Sequence, residues 1–225
     1  MPAALESLAS LLRAKKLDVT LTSMSSQAPV AADRLASTGD ADLDASLGGG
    51  LRRGHLSEII GAPSSGRTTV MTRALAAAAE RGDAVALIDA CDTFDPASAA
   101  AQGLDVSHLL WVRESGDASR ALKAFSLVLQ AGGFGVVVFD LADVALPALR
   151  RFPWYKTTTT WMRLARIVEG SDTVALLVGS ERIARSAGGV TIALESSPAR
   201  WQGAAARARL FTGVRPAPRV VRARS

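Results

Sequence analysis

An α/β fold, with a mainly parallel sheet covered by helices on both faces, is predicted by three observations. Apolar runs of strand length alternate with stretches of helical length from residue 55 onward. The runs are apolar on both strand faces, as expected where neither face meets water. Between the first run and the first long helix lies Gly-Ala-Pro-Ser-Ser-Gly-Arg-Thr, residues 61–68, a phosphate-binding loop in all but one residue. In such sheets ligands sit beyond the carboxyl ends of the strands.

The elements follow in order. Leu5, Leu8, Leu11 and Leu12 stand at helical spacing, and Lys15 and Lys16 close that helix. Residues 1–20 therefore form an N-terminal helix, and the aperiodic residues 21–36 a linker. Leu43 and Leu47 precede the Gly48–Gly50 run as buried anchors. Strands are predicted at 55–60, 84–89, 109–112, 134–140 and 173–178, with shorter ones at 189–195 and 207–212. Helices are predicted at 67–81, 96–102, 117–131 and 157–169, where Gly82 and Gly132-Gly133 stop the first and third of these. A hydroxyl in the Thr157–Thr160 run is expected to cap the last helix. The core spans residues 37–213. Residues 214–225 contain two prolines and no helical period, so they read as a flexible basic tail.

Chemistry concentrates in the loop. Gly61, Ser64, Ser65 and Gly66 let successive backbone N–H groups curl around a phosphate at a helix N-terminus, and Thr68 and Thr69 supply hydroxyls. Lysine ordinarily follows the second glycine and reaches the terminal phosphates. Arg67 stands there instead, and its wide planar guanidinium is no equivalent of a compact ammonium.

Composition narrows the classes. With 225 residues, 48% of them hydrophobic, the chain can bury a sizeable core, yet no apolar run reaches membrane-spanning length. Neither a membrane role nor a signal segment is expected, and the protein is placed in the cytoplasm. The single Cys91 cannot form an internal disulfide, and one cysteine with His55 and His108 does not make a zinc site. Cys91 reads as an inert thiol rather than a nucleophile, because neither histidine is spaced as its base. The net charge is +5, and after Glu195 there is no acidic residue, while seven arginines follow, among them Arg219, Arg222 and Arg224. That asymmetry admits nucleic acid or another acidic partner, or a merely solvated terminus.

Several segments in order resemble bacterial RecA: Ser37-Thr38-Gly39 with Leu43-Asp44 and Leu47-Gly48, then EIIGAPSSGRTT, ALIDACDTFDP and GLDVSHLLWV. The likeness runs over residues 36–180 and implies a RecA-like P-loop NTPase core. Within that group the chain most resembles the short ImuA proteins; inhibitors of the SulA type share the reduced fold. The resemblance implies that Asp140 stands at the magnesium-site position. It also implies that Cys91 occupies the place of the glutamate that activates the attacking water, with Asp92 a possible substitute one residue on. Ser98 then replaces the tyrosine that stacks on adenine, and the nucleotide-to-DNA coupling glutamine falls near Ser180 or Glu181. Arg182 and Arg185 occupy the place of the second DNA-binding loop, where they and the tail arginines contact phosphates or are simply solvated.

The expected function is that of a catalytically degenerate RecA-like accessory protein in the DNA-damage response and translesion mutagenesis, associated with the nucleoid. Its implied partners are RecA and a Y-family polymerase-like protein, possible DNA contact comes second, and recombination would be down-regulated. Leu5, Leu8 and Leu12 are candidate partner anchors, with docking of that helix on its own domain the alternative. No cofactor is required; ATP with magnesium is expected to bind only weakly. Two rivals are a slow DNA-associated ATPase and a SulA-type division inhibitor. Trp154, Tyr155 and Trp161 are either a partner anchor or core, and Trp111 is packing.

Overall fold

The computed structural model describes residues 31–184, 189–195, 199–203, 210–214 and 216–222, all within one compact unit, Ala31–Ser225. Leu5, Leu8, Leu12, Arg185 and Arg224 lie outside the described residues. Two short strands, β1 (Leu35–Ala36) and β2 (Leu51–Arg52), pair antiparallel around helix α1 (Ala41–Ser46). The main sheet comprises β3 (His55–Gly61), β4 (Ala84–Asp89), β5 (Leu109–Arg113), β6 (Phe134–Asp140), β7 (Val174–Gly179), β8 (Thr191–Glu195) and β11 (Ala217–Arg222). Its order is β11-β8-β3-β7-β6-β4-β5, parallel except for β11. A separate antiparallel pair joins β9 (Ala199–Gln202) to β10 (Leu210–Val214).

The double-faced strands explain their continuous apolar runs. Val136 and Val138 enter one core with Val85, Leu87, Leu176 and Val178, while Val137 and Phe139 enter a second with Ile88 and Leu177. Helix α2 (Arg67–Glu80) covers the first face through Val70, Met71, Ala74, Leu75 and Ala78. The short α3 (Pro96–Ala101) adds Ala99 to that core. Helices α4 (Ala118–Ala131) and α7 (Thr158–Val168) cover the second face through Phe125, Leu129, Trp161, Leu164 and Val168. Two one-turn helices, α5 (Leu146–Leu149) and α6 (Pro153–Lys156), bridge β6 to α7. Phe125 stacks on Phe139 with centroids 5.1 Å apart, and full burial of each ring contributes about 1.5–3 kcal/mol.

Helix starts follow from capping carboxylates. Asp117 accepts from Ser119 N and Arg120 N at the head of α4, and Asp95 accepts from Ala97 N and Ser98 N at the head of α3. The motif before the core works similarly. Asp44 accepts from Ser37 Oγ, Thr38 N and Thr38 Oγ1, while Asp40 caps α1 and pairs with Arg73 of α2 at 3.0 Å. That network ties the Ser-Thr-Gly segment to the helix behind the phosphate loop.

Three expectations need correction. Residues 217–222 are no flexible tail: they pair antiparallel with β8. Their exposure alternates, with Pro218 and Val220 half-buried and Ala217, Arg219 and Val221 exposed, a period of two that a search for helical spacing misses. Pro218 is tolerated because β11 is an edge strand. Thr157 does not cap α7 with its side chain; its hydroxyl donates instead to Pro153 O at 2.6 Å. Leu47 is only half-buried, whereas Leu43 is fully so. Trp161 and Tyr155 are core, and Trp154 is half-buried with its Nε1 donating to Ser119 Oγ. Among the described residues no helix is long and apolar enough to cross a membrane.

Candidate functional site

Strand β3 ends at Gly61 and α2 begins at Arg67, so residues 62–66 wrap around the helix N-terminus. Gly66 adopts φ 93°, in the left-handed region, and a Cβ there would lie 2.7 Å from Pro216 Cγ. Ser64 adopts φ 61°. A side chain on Gly61 would meet Leu194 O at 2.8 Å, so β8 and the start of β11 press close to the loop. Thr68 is exposed and Thr69 half-buried.

Two polar groups in the loop lack partners. Ser65 Oγ and Arg67 Nη1 are buried and unbonded, although Arg67 as a residue is 6% exposed. Leaving such donors unmatched costs about 1–3 kcal/mol each, more for a charged group. A phosphate oxygen is the acceptor that both would satisfy at a helix N-terminus. The residues present therefore fit a phosphate group, even with arginine in the lysine position.

Facing the loop are the ends of β4 and β6. Asp89 and Asp140 are register partners on these parallel strands. Asp89 is buried and satisfied, accepting from Cys91 N at 3.2 Å and Phe94 N at 2.9 Å. The Asp140 carboxyl is enclosed by protein although the residue keeps some open surface. Burial pushes it from 3.8 up to about 6, the Ala142 N–H and the Arg67 guanidinium pull it down, and Asp89 and Asp143 add to the rise. This raised value makes Asp140 a drain on stability at neutral pH. Its contribution is fully favourable below 3.8 and is lost as pH rises through about 6, a difference of about 3 kcal/mol. Asp140→Asn keeps an oxygen for the Ala142 N–H, so urea melts at pH 7 should show a more stable variant. The parent's loss of stability between pH 4 and 6 should flatten in it.

Cys91 is half-buried, and burial, then Asp143, Asp89 and Asp140, push its thiol pKa up. A thiol so placed is neutral and a poor nucleophile. Asp92 adopts φ 57° and its carboxylate makes a two-point pair with Arg113, Nε at 2.6 Å and Nη2 at 2.9 Å. That pair holds Asp92 below the ordinary carboxylate range and turns it to β5. Arg113 is fixed in turn over the Trp111 ring at 4.5 Å. Asp92 as a substitute base is thus disfavoured by both direction and basicity. Neither Arg113 nor its hold on Asp92 could be anticipated from spacing, because the two lie 21 residues apart.

Of the candidate DNA contacts, the side chains of Arg182 and Arg219 are described, and each stands beside a carboxylate. Arg182 is exposed, with Nε 3.3 Å from Glu58 Oε1, and Arg219 on β11 pairs loosely with Glu195 at 3.4 Å. Arg222 ends β11. Sequence reasoning missed Glu58, a buried carboxylate three residues before Gly61. It accepts from Ile183 N and Ala184 N, both at 3.0 Å, and from Thr191 Oγ1 at 2.7 Å. Nearby, Glu181 accepts from Tyr155 Oη at 3.0 Å and pairs with Arg150 at 2.7 Å, which holds it below the usual carboxylate range. Ser98, which the resemblance sets at the adenine-stacking position, is exposed on α3 and bonded to Asp95.

Known proteins share this framework. A family model described as the RecA N-terminal domain matches residues 15–149, which includes the loop, Cys91 and Asp140 but stops before Glu181. RecA of Chlorobaculum tepidum is 37% identical over 115 residues, 51% of this chain and 33% of its own length. RecA of Symbiobacterium thermophilum is 39% identical over 111 residues, 49% of this chain and 31% of its own length. The match thus spans about a third of these curated relatives. The crystal structure of the RadB recombinase is similar in fold, with a TM-score of 0.55 and 19% identity over 72% of this chain and 83% of that one.

Proposed function

The chain belongs to the RecA N-terminal domain family, and from that membership we propose that it is a catalytically degenerate RecA-like accessory protein acting through protein partners. One observation carries the reading. The loop keeps a phosphate cradle with unpartnered donors on Ser65 and Arg67, while the water-activating position holds the raised thiol of Cys91 and the neighbouring Asp92 is tied to Arg113. Nucleotide, in this reading, is a structural ligand rather than a fuel. Residues Gly61–Thr69 would hold the phosphates and Asp140 would face the magnesium, which when bound supplies charge neutralisation. Ser98 offers adenine no ring to stack on, so affinity would be modest.

The finer assignment follows the resemblance to ImuA proteins. The partners would be RecA and a Y-family polymerase-like protein, the setting DNA-damage tolerance and translesion mutagenesis near the nucleoid, and the effect a restraint on recombination. A scaffold with the recombinase shape and no efficient motor chemistry can occupy a filament surface without cycling off it. The slow-ATPase reading is favoured by the Arg67 nitrogen alone, since a guanidinium can still grip a phosphate.

Purified chain with ATP and magnesium is the test. A rise in melting temperature that Arg67→Ala removes, with phosphate release at background and slowed RecA strand exchange on addition of the chain, is the expected result. Turnover on the order of 1 s⁻¹ or faster, the ordinary range of enzymes, would overturn it.

A further inference from the structure

We propose that the groove between α4 and α7 docks an acidic, amphipathic peptide segment of a partner protein. The groove has a volume of about 210 Å³, with half-buried Leu122 and Ile167 forming apolar walls over the buried Leu164 and with Lys123 and Arg163 beside them. That is smaller than the ~300–1,000 Å³ of small-molecule pockets and suits one or two anchoring side chains. The same two helices expose Leu127 at 65% and Met162 at 48%, two of the few large apolar side chains left open to water among the described residues.

Charge selects the occupant. Helix α4 carries Arg120 and Lys123, α7 carries Arg163 and Arg166, and neither helix contains an aspartate or glutamate. Arg120 lies 3.6 Å from Glu114, and the other three cations have no ion-pair partner among the described residues. Of the carboxylates that bracket the helices, Asp117 is spent on capping α4 and Glu169 follows the end of α7. An apolar trough flanked by unpaired cations matches a helix with leucine-type residues on one side and carboxylates on the other. Nucleic acid matches less well, since phosphates would use the cations but leave Leu122 and Ile167 idle, and among the described residues no aromatic ring lines the groove for base stacking.

Fluorescence anisotropy of a labelled leucine–glutamate amphipathic peptide with the full chain tests this. Its lysine counterpart, a peptide of residues 1–16 and a labelled single-stranded oligonucleotide are the comparison probes. The acidic peptide should bind about tenfold more tightly than either basic peptide. Lys123→Glu with Arg163→Glu should weaken it about tenfold and reverse the preference. Both residues are exposed, so the melting temperature should not change; the milder Lys123→Gln, Arg163→Gln pair serves if the reversal impairs folding. Equal binding of acidic and basic peptides, or an effect of neither pair, would overturn the proposal. Displacement of the peptide by the oligonucleotide would reassign the face to nucleic acid, and self-association lost in the double variant would reassign it to a second copy.

Discussion

Arg67→Lys combined with Cys91→Glu is expected to raise ATP turnover by about 10²-fold or more over the parent chain, measured as magnesium-dependent phosphate release. Each change restores one electrostatic element of the transition state, and one well-placed group contributes about 3–4 kcal/mol. Lysine returns a compact charge that reaches the terminal phosphates, which the planar guanidinium cannot copy. Glutamate returns a carboxylate at the end of β4, where the thiol is held protonated by burial and by three neighbouring aspartates.

The single variants should fall well short, for different reasons. With Arg67→Lys alone, nucleotide is gripped better but no base takes the proton of water, because the Asp92 carboxylate remains held by Arg113. With Cys91→Glu alone, a further carboxylate enters the field of Asp89, Asp140 and Asp143, so it should stay partly protonated and lower the melting temperature. Nucleotide with magnesium should recover that stability. A double variant no faster than its parent would place the defect elsewhere, with Ser98 and the close approach of Pro216 to Gly66 the next candidates.

The parts of this site legible in sequence are those written in consecutive residues. Gly61–Thr69 and the apolar strands announce themselves by spacing, because one local element positions each of them. Asp92 does not, since its availability depends on Arg113 across a parallel ladder. The strand at 217–222 is hidden by Pro218 and its two arginines, and only the open edge of β8 explains why it pairs. Glu58 reads as one polar interruption of an apolar strand; its partners lie about 125–133 residues away.

Glu58 carries the largest expected effect on stability. Removing its side chain orphans two backbone N–H groups, Ile183 and Ala184, and the Thr191 hydroxyl, all in buried surroundings, and deprives Arg182 of its counter-charge. Glu58→Ala should therefore cost about 3–5 kcal/mol, as breaking a buried charged network does. That is a large share of a typical 5–15 kcal/mol and corresponds to a fall in melting temperature of about 10 °C. Glu58→Gln keeps one acceptor oxygen and should lie between, since its amide N–H₂ meets donors. The loss should also be local: amide exchange at Ile183 and Ala184 should accelerate more than in the α4 core, because the carboxylate is what fastens the segment after β7 to the phosphate-loop strand. If both amides keep their protection in Glu58→Ala, the segment is held by its packing of Ile183 and Ala184 alone. If they lose it, the strand that presents Gly61 and the segment that carries Arg182 are joined through this one side chain. Nucleotide-dependent melting of Glu58→Ala should then weaken together with the exchange protection.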